Sequence, residues 1–270
     1  MNFTQKTTIN EETPSELKIT MITSKSGEAI ITMAGSGAIS IDWNDGSKIE
    51  THTLKPNKFK FTHNYFSSLP RVITITGENI TYLYCGNNQL TSLEVSENDA
   101  LLELYCNNNC LTNLNVSGCA ALKDLNCHNN QLTSLNVEAN TALTLLVCSG
   151  NQLTSLDVSK NIALIRLYCY NNQLTSLDAS ANTKLVSLDV CNNQITGLDA
   201  SANTELIWFY CRNNKLTGSA LDALFGTLHV NTIPNFMNTK TIFIYCNDGT
   251  SSCSRNIAEA KGWTVNTTTQ

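Results

Sequence analysis

The stretch Leu101-Leu-Glu-Leu104-Tyr-Cys106-Asn-Asn-Asn109-Cys-Leu111-Thr-Asn-Leu114-Asn-Val116 decides the fold. In it Leu104 and Cys106 alternate with Tyr105 and Asn107. A period of two is that of a strand, with Leu and Cys on the inward face and Tyr and Asn on the outward one. Leu111, Leu114, Val116 and Leu122 bring the chain back through the core on the far side. The pattern recurs with anchors at Leu83, Leu104, Leu125, Leu146, Leu167, Leu188 and Phe209, each 21 residues after the last, so seven units run from Leu83 to about Ser219. A fixed period of this length means a solenoid in which each unit stacks only on its neighbours. Stacking turns the strands into a parallel sheet with rungs about 4.8 Å apart and a wall of roughly 30–35 Å.

Two inward columns follow from the repeat. Asn88, Asn109, Asn130, Asn151, Asn172, Asn193 and Asn214 fall at the corner where each strand turns away. A buried amide without partners costs about 1–3 kcal/mol, so these side chains are expected to bond to the backbone of their own and adjacent coils as an asparagine ladder. Cys85, Cys106, Cys127, Cys148, Cys169 and Cys211 share one inward strand position, where Val190 stands in the sixth unit. A site that accepts Cys or Val wants a small apolar side chain, and free cysteine behaves that way in cores. In-register strands hold Cβ atoms near 4.8 Å, beyond the usual ~3.5–4.5 Å of a disulfide. A straight column also lacks a tetrahedral ligand set, and there is no Cys-x-x-Cys, so no metal is expected. Of the five other cysteines, Cys110 replaces the Gln of other units, Cys119 sits at a turn, and Cys191 is expected to be an exposed thiol. Cys246 and Cys253 flank an Asn-Asp-Gly turn, and their pairing stays open.

Outward strand positions vary where inward ones do not. One column reads Tyr84, Tyr105, Asn126, Val147, Tyr168, Asp189 and Tyr210, with Tyr245 expected to extend it. The flanking columns read Tyr82, Glu103, Asp124, Leu145, Arg166, Ser187, Trp208 and Gly86, Asn107, His128, Ser149, Tyr170, Cys191, Arg212. Tyr, Trp and Arg are the residue types enriched at interface hot spots. The candidate ligand-binding residues are therefore Tyr84, Tyr105, His128, Arg166, Tyr168, Tyr170, Trp208, Tyr210 and Arg212, most concentrated on either side of unit six. The competing explanation is that tyrosine simply suits strands and stacks from rung to rung.

The chain has 270 residues, 41% hydrophobic and 14% charged, with a net charge of −5 and no Lys/Arg cluster. That balance argues against a nucleic-acid or acidic-membrane surface. Apolar runs are only a few residues long, so no membrane insertion is expected. The four histidines, His52, His63, His128 and His229, have no zinc spacing. Asp124 lies near His128 in sequence, but no nucleophile completes a triad, and there is no phosphate loop. An open sheet also does not exclude water. The expectation is a protein that is not an enzyme and needs no cofactor.

Four regions are expected. Residues 1–16 are polar and read as loosely attached. Residues 17–79 hold short alternating segments rich in Ile, Thr, Val and Phe, with Asn44-Asp45-Gly46 as a tight turn, and read as a small β-sandwich capping the first coil. Residues 80–218 are the solenoid. Residues 219–270 read as a C-terminal cap: a helix from Ser219, with Ser219 and Asp222 as a capping box and Gly226 as its stop, a strand over 241–246, a second helix over 253–261 and a last strand from Trp263.

The repeat, L-x-x-L-x-C-x-x-N-x-L-T-x-L-x-V, resembles the leucine-rich repeat, with Cys at the third Leu position. Asn151-Gln-Leu-Thr-Ser-Leu-Asp-Val-Ser-Lys-Asn-Ile-Ala-Leu164 looks like repeats exported by gut-dwelling anaerobic bacteria and is similar to the internalin type. The fold class expected is α/β, a leucine-rich-repeat solenoid with a parallel sheet on one face and short turns or 3-10 segments on the other. Units of 21 residues leave no room for bulky outer helices, so a nearly straight slab is expected. Ile39-Ser-Ile-Asp-Trp43-Asn-Asp45-Gly46, with Phe61–Tyr65 and Val72–Ile75, resembles a PKD-type β-sandwich, W-N-D-G standing for the usual W-G-D-G. The resemblance implies a secreted or surface-anchored protein, extracellular although no export signal is visible. It implies a monomer that binds a protein partner, for example a host surface protein. A glycan ligand, through the tyrosine-rich face, and a passive spacer are the alternatives.

Overall fold

The computed structural model describes residues 17–232 and 239–268. Residues 1–16, expected to be loosely attached, lie outside the described residues. Alternating apolar segments build six strands first: β1 (Leu17–Thr23), β2 (Gly27–Gly35), β3 (Gly37–Asp42), β4 (Glu50–Leu54), β5 (Phe59–Tyr65) and β6 (Arg71–Gly77). Their inward residues, among them Ile19, Met21, Ile31, Met33, Ile41, Ile73 and Ile75, are fully buried. The repeats supply β7 (Ile80–Tyr84), β8 (Leu90–Glu94), β9 (Glu103–Tyr105), β10 (Asp124–Asn126), β11 (Leu145–Val147), β12 (Arg166–Tyr168), β13 (Ser187–Asp189) and β14 (Trp208–Tyr210). The tail adds α1 (Gly218–Thr227), β15 (Lys240–Phe243), α2 (Asn256–Glu259) and β16 (Trp263–Asn266).

The molecule is a leucine-rich-repeat solenoid. From β7 and β9 through β16 the strands pair parallel and in register, so Leu83, Leu104, Leu125, Leu146, Leu167, Leu188, Phe209 and Ile242 form one buried file. On the other side the connections between coils are turns, and among the described residues no helix precedes α1. Leu111, Leu132, Leu153 and Leu174 close the core there with no exposure. Burying each such side chain stabilises by about 1.5–3 kcal/mol, which is how a sheet with three-residue strands holds together.

The N-terminal strands continue the solenoid rather than merely abutting it. β2 pairs antiparallel with β7 and with β5, extending the parallel sheet, while the order β4-β3-β6-β1-β8 makes a second sheet. The return strand of the first coil, β8, pairs antiparallel with β1. Both sides of the first coil are thus hydrogen-bonded to the cap.

Asn109 shows how one corner is held. Its amide donates to the carbonyls of Cys85 (3.1 Å) and Cys106 (2.9 Å), and its oxygen accepts from the backbone N–H of Asn88 and Leu90, both at 3.0 Å. Asn88 makes the same bonds to the cap, donating to Ile30 O at 2.6 Å and accepting from Ile30 N at 3.0 Å. At the other end Asn247 takes the corner. It donates to Cys211 O at 3.0 Å and accepts from Asn214 N at 3.0 Å. The residue before each corner asparagine turns through positive φ at Asn87, Asn108, Asn129, Gly150, Asn171, Asn192, Asn213 and Cys246. Asn and Gly tolerate that region best, which explains the Asn-Asn pairs of the repeat.

A second ladder runs along the opposite corner and was not anticipated. Asn98, Asn140, Asn161, Asn182 and Asn203 are buried at the 21-residue period. Asn140 donates to Val116 O and Cys119 O, both at 2.9 Å. The oxygens of Asn140, Asn161, Asn182 and Asn203 have no partner among the described residues, so these four use only a donor, and in the first coil both polar atoms of the Asn98 side chain are without one. Cys119 occupies it in one unit and donates its thiol to Val95 O at 3.2 Å.

The tail departs from its reading in detail. Thr217, not Ser219, caps α1, its side chain accepting from Ala220 N. Asp222 does not reach back as a box partner but accepts from Ser254 Oγ at 3.0 Å, tying the tail to the helix. Gly226 lies within α1, which ends at Thr227, because Leu228 can leave in an extended conformation and bury itself. α2 has four residues, shorter than the 253–261 expected.

Candidate ligand-binding face

Strand register sets the outward surface. Tyr84, Tyr105, Asn126, Val147, Tyr168, Asp189 and Tyr210 line up across β7 and β9–β14, and Phe243 continues the column. Tyr245, expected in this column, belongs two residues further along, in the column of Arg212. The reason is a 33-residue step from Tyr210 to Phe243, where the 21-residue count no longer holds.

The N-terminal end of the face is internally satisfied. Tyr82 and Tyr105 lie 5.6 Å apart, and Lys58 reaches over from the cap to sit 3.6 Å from the Tyr82 ring centre. Lys58 Nζ also pairs with Glu103 at 3.0 Å. The Tyr105 hydroxyl is pushed up to about 12, first by burial and then by the Asp124 and Glu103 carboxylates. Tyr84 accepts from the Asn87 amide at 2.9 Å. In the middle, His128 bonds through Nδ1 to Asn126 Oδ1 at 2.7 Å rather than to Asp124, and burial pushes its imidazole down.

The C-terminal end gathers Arg166, Tyr168, Trp208 and Tyr210 on the two strands that flank β13, with Tyr170 and Arg212 two residues past their ends. Tyr210 stacks on Phe243 at 4.5 Å and 9°. Arg212 donates to the Tyr245 hydroxyl and lies over its ring at 5.1 Å. Among the described residues no aromatic ring stacks on Tyr168, Tyr170 or Trp208. Between these walls unit six carries short side chains: Ser187, in β13, is 4% exposed and Cys191, two residues past its end, 1%. The face thus dips along unit six, with Asp189 half-buried in the dip. Burial pushes the Asp189 carboxyl up, against the lowering effect of its bonds from Cys191 and the Arg212 charge. Cys191, expected to be exposed, is buried here. Its thiol is pushed up, mainly by burial and then by Asp189, the direction that disfavours the reactive thiolate. The exposed thiol is instead Cys246. The six cysteines of the inward column are all fully buried and free, and burial pushes Cys85 and Cys127 up to about 12.

No histidine meets a nucleophile among the described residues. His52 pairs with Glu50 (3.0 Å) and His63 with Asp45 (2.6 Å) inside the cap, and His229 Nε2 donates to Leu206 O. Among the described residues no group of three His, Cys, Asp or Glu side chains is arranged to hold a metal ion, and no helix is long and apolar enough to cross a membrane.

A family model, Leucine Rich repeats (2 copies), matches residues 162–203. No curated protein sequence matches the chain. Among solved structures, internalin C2 of Listeria monocytogenes is similar over 70% of this chain and 81% of its own, at 22% identity and TM-score 0.57. A Shigella effector LRR domain is similar over 69% of this chain and 81% of its own, at 21% identity and TM-score 0.50. The functional domain of InlJ from Listeria monocytogenes, described as including a cysteine ladder, is 26% identical with TM-score 0.38; the matched region covers 69% of this chain and 53% of that one. The likenesses to internalin C2 and to the Shigella domain agree with the solenoid read from the strands.

Proposed function

We propose that the chain is a non-catalytic binding protein, exported to the cell surface or secreted, which engages a protein partner as a monomer through the outward face of its parallel sheet. One observation carries the reading. The inward files are nearly invariant from unit to unit, whereas the outward positions change, and the change concentrates aromatic and arginine side chains around β13. Framework positions repeat because each rung meets the same neighbours; recognition positions are free to differ. Half-buried Tyr and Trp lose little entropy on binding and supply large contact areas, and Arg adds a charged fork of donors. The surface location rests on the likeness to internalins, and the PKD-like reading of residues 17–79 makes that region an accessory to the repeat face.

The test replaces Tyr168, Trp208 and Tyr210 together by alanine. Surface-protein extracts and a glycan array are then probed with the wild-type chain and the variant. The reading expects a saturable protein partner whose capture the triple replacement abolishes, with circular dichroism and melting unchanged. Capture unaffected by the replacement would refute it, and binding confined to the array would move the reading to a glycan ligand, which the tyrosine rings also suit.

A further inference from the structure

The dip along unit six holds a carboxylate with no basic partner among the described residues. Asp189 Oδ1 accepts from Cys191 N at 3.0 Å, and no Lys or Arg side chain pairs with it. Arg212, the cation whose charge it feels, is instead bonded to the Tyr245 hydroxyl and laid over that ring. In register on either side stand Tyr168 and Tyr210. We propose that Asp189, Tyr168 and Tyr210 form a subsite for a cationic side chain, lysine or arginine, presented by the protein partner. The proposal rests on the binding-face reading above and names the chemistry recognised there.

The same sheet already shows such an arrangement. At its N-terminal end Lys58 sits 3.6 Å from the Tyr82 ring centre and 6.0 Å from that of Tyr105, and it pairs with the Glu103 carboxylate at 3.0 Å. Two tyrosines on adjacent rungs and one carboxylate thus take an ammonium group supplied from outside the repeats. The unit-six site has the same components with the carboxylate between the rings. Rungs are about 4.8 Å apart, so the Tyr168 and Tyr210 columns each stand one rung from Asp189, a spacing that lets a cation over the carboxylate approach a ring within the ~6 Å of cation–π attraction. Burial raises the proton affinity of Asp189, and an arriving cation would reverse that. A neutral or anionic group has no such gain.

The probes are the peptides acetyl-Gly-Gly-Lys-Gly-Gly-amide, its Arg counterpart and its Gln counterpart, read by tryptophan emission. Trp208 is the half-exposed tryptophan; Trp43 and Trp263 are buried. The expected result is a saturable change with the Lys and Arg peptides, at least tenfold weaker with the Gln peptide and in Asp189→Asn, and weakened by salt. Tyr168→Leu with Tyr210→Leu should weaken it likewise while melting stays unchanged. A response equal for all three peptides, one unaltered in Asp189→Asn, or none at all would overturn the subsite. If Asp189→Asn still captures the partner and the triple replacement does not, the subsite fails and the binding face stands. Capture surviving the triple replacement removes the face itself.

Discussion

Asn130 donates to Cys106 O and Cys127 O and accepts from Leu111 N, so it satisfies three backbone groups in two coils. Asn130→Ala leaves them unpaired in a dry interior, and a loss of roughly 2–4 kcal/mol is expected by chemical denaturation, with ligand binding unchanged below the transition. The second ladder makes the opposite prediction. Cys119 stands where other units have a two-bond amide donor, and Cys119→Asn should restore donation to Val95 O and to the carbonyl of Asn98. At about 0.5–1.5 kcal/mol for a net hydrogen bond, the melting temperature should rise by a few degrees; a fall would show that the thiol site cannot admit the larger side chain. Thiol chemistry tests the burial pattern. Of eleven free cysteines, Cys246 should react first in the native state, Cys110 and Cys253 more slowly, and Cys119, Cys191 and the six of the inward column only after unfolding, all counted by mass after alkylation.

At the scale of elements, the β3–β4 connection shows a sequence turn doing more than turning. Asn44 and Gly46 adopt positive φ, and Trp43 is buried, stacked on His63 at 5.0 Å. Bonds from Ser47, and next from His63, hold the Asp45 carboxyl well below the ordinary carboxylate range. Glu50 is lowered too, first by its bond with His52 and also by that from Trp43. A depressed carboxylate pKa contributes stability that is present above the unfolded value of about 3.9 and lost as pH falls towards the folded value. Asp45→Asn should therefore melt below wild type at pH 6, and the gap should shrink as the solution is acidified below about pH 4. A gap independent of pH would mean that Asp45 acts through the turn geometry alone. The tail elements explain what sequence patterns missed. Ser219 and Asp222 match a capping box by spacing, yet Thr217 is two residues closer to the last rung and takes the cap.

Over the whole molecule, each rung rests on the next, and the exposed ends of such a stack must be closed. The cap does this at one end by joining both sheets to the first coil through β2–β7 and β1–β8 pairing. The tail does it at the other, where Lys240 donates its three protons to the carbonyls of His229, Asn231 and Lys261 and Trp263 is buried beside it. A chain stopped after Gly218 would bare Phe209, Cys211 and Leu216 of the last full unit. It should bind a hydrophobic dye and elute as soluble aggregate on size-exclusion chromatography; a monodisperse, dye-negative product would show that the last repeat closes itself.

The period of 21 and the alternation within it were enough to determine the solenoid, its parallel register and the buried cysteine file, because every rung sees the same surroundings and local pattern equals global position. The second ladder was equally periodic, but an asparagine among turn residues reads as a turn former until its burial is seen. Where the period ends, spacing stops reporting position, and only pairing across β14 and β15 placed Phe243, Tyr245 and Asn247. Exposure of outward residues was likewise beyond the pattern. Cys191 and Ser187 lie on the outward face by alternation yet are buried, because a short side chain between rungs that carry long ones keeps little of its surface in reach of solvent.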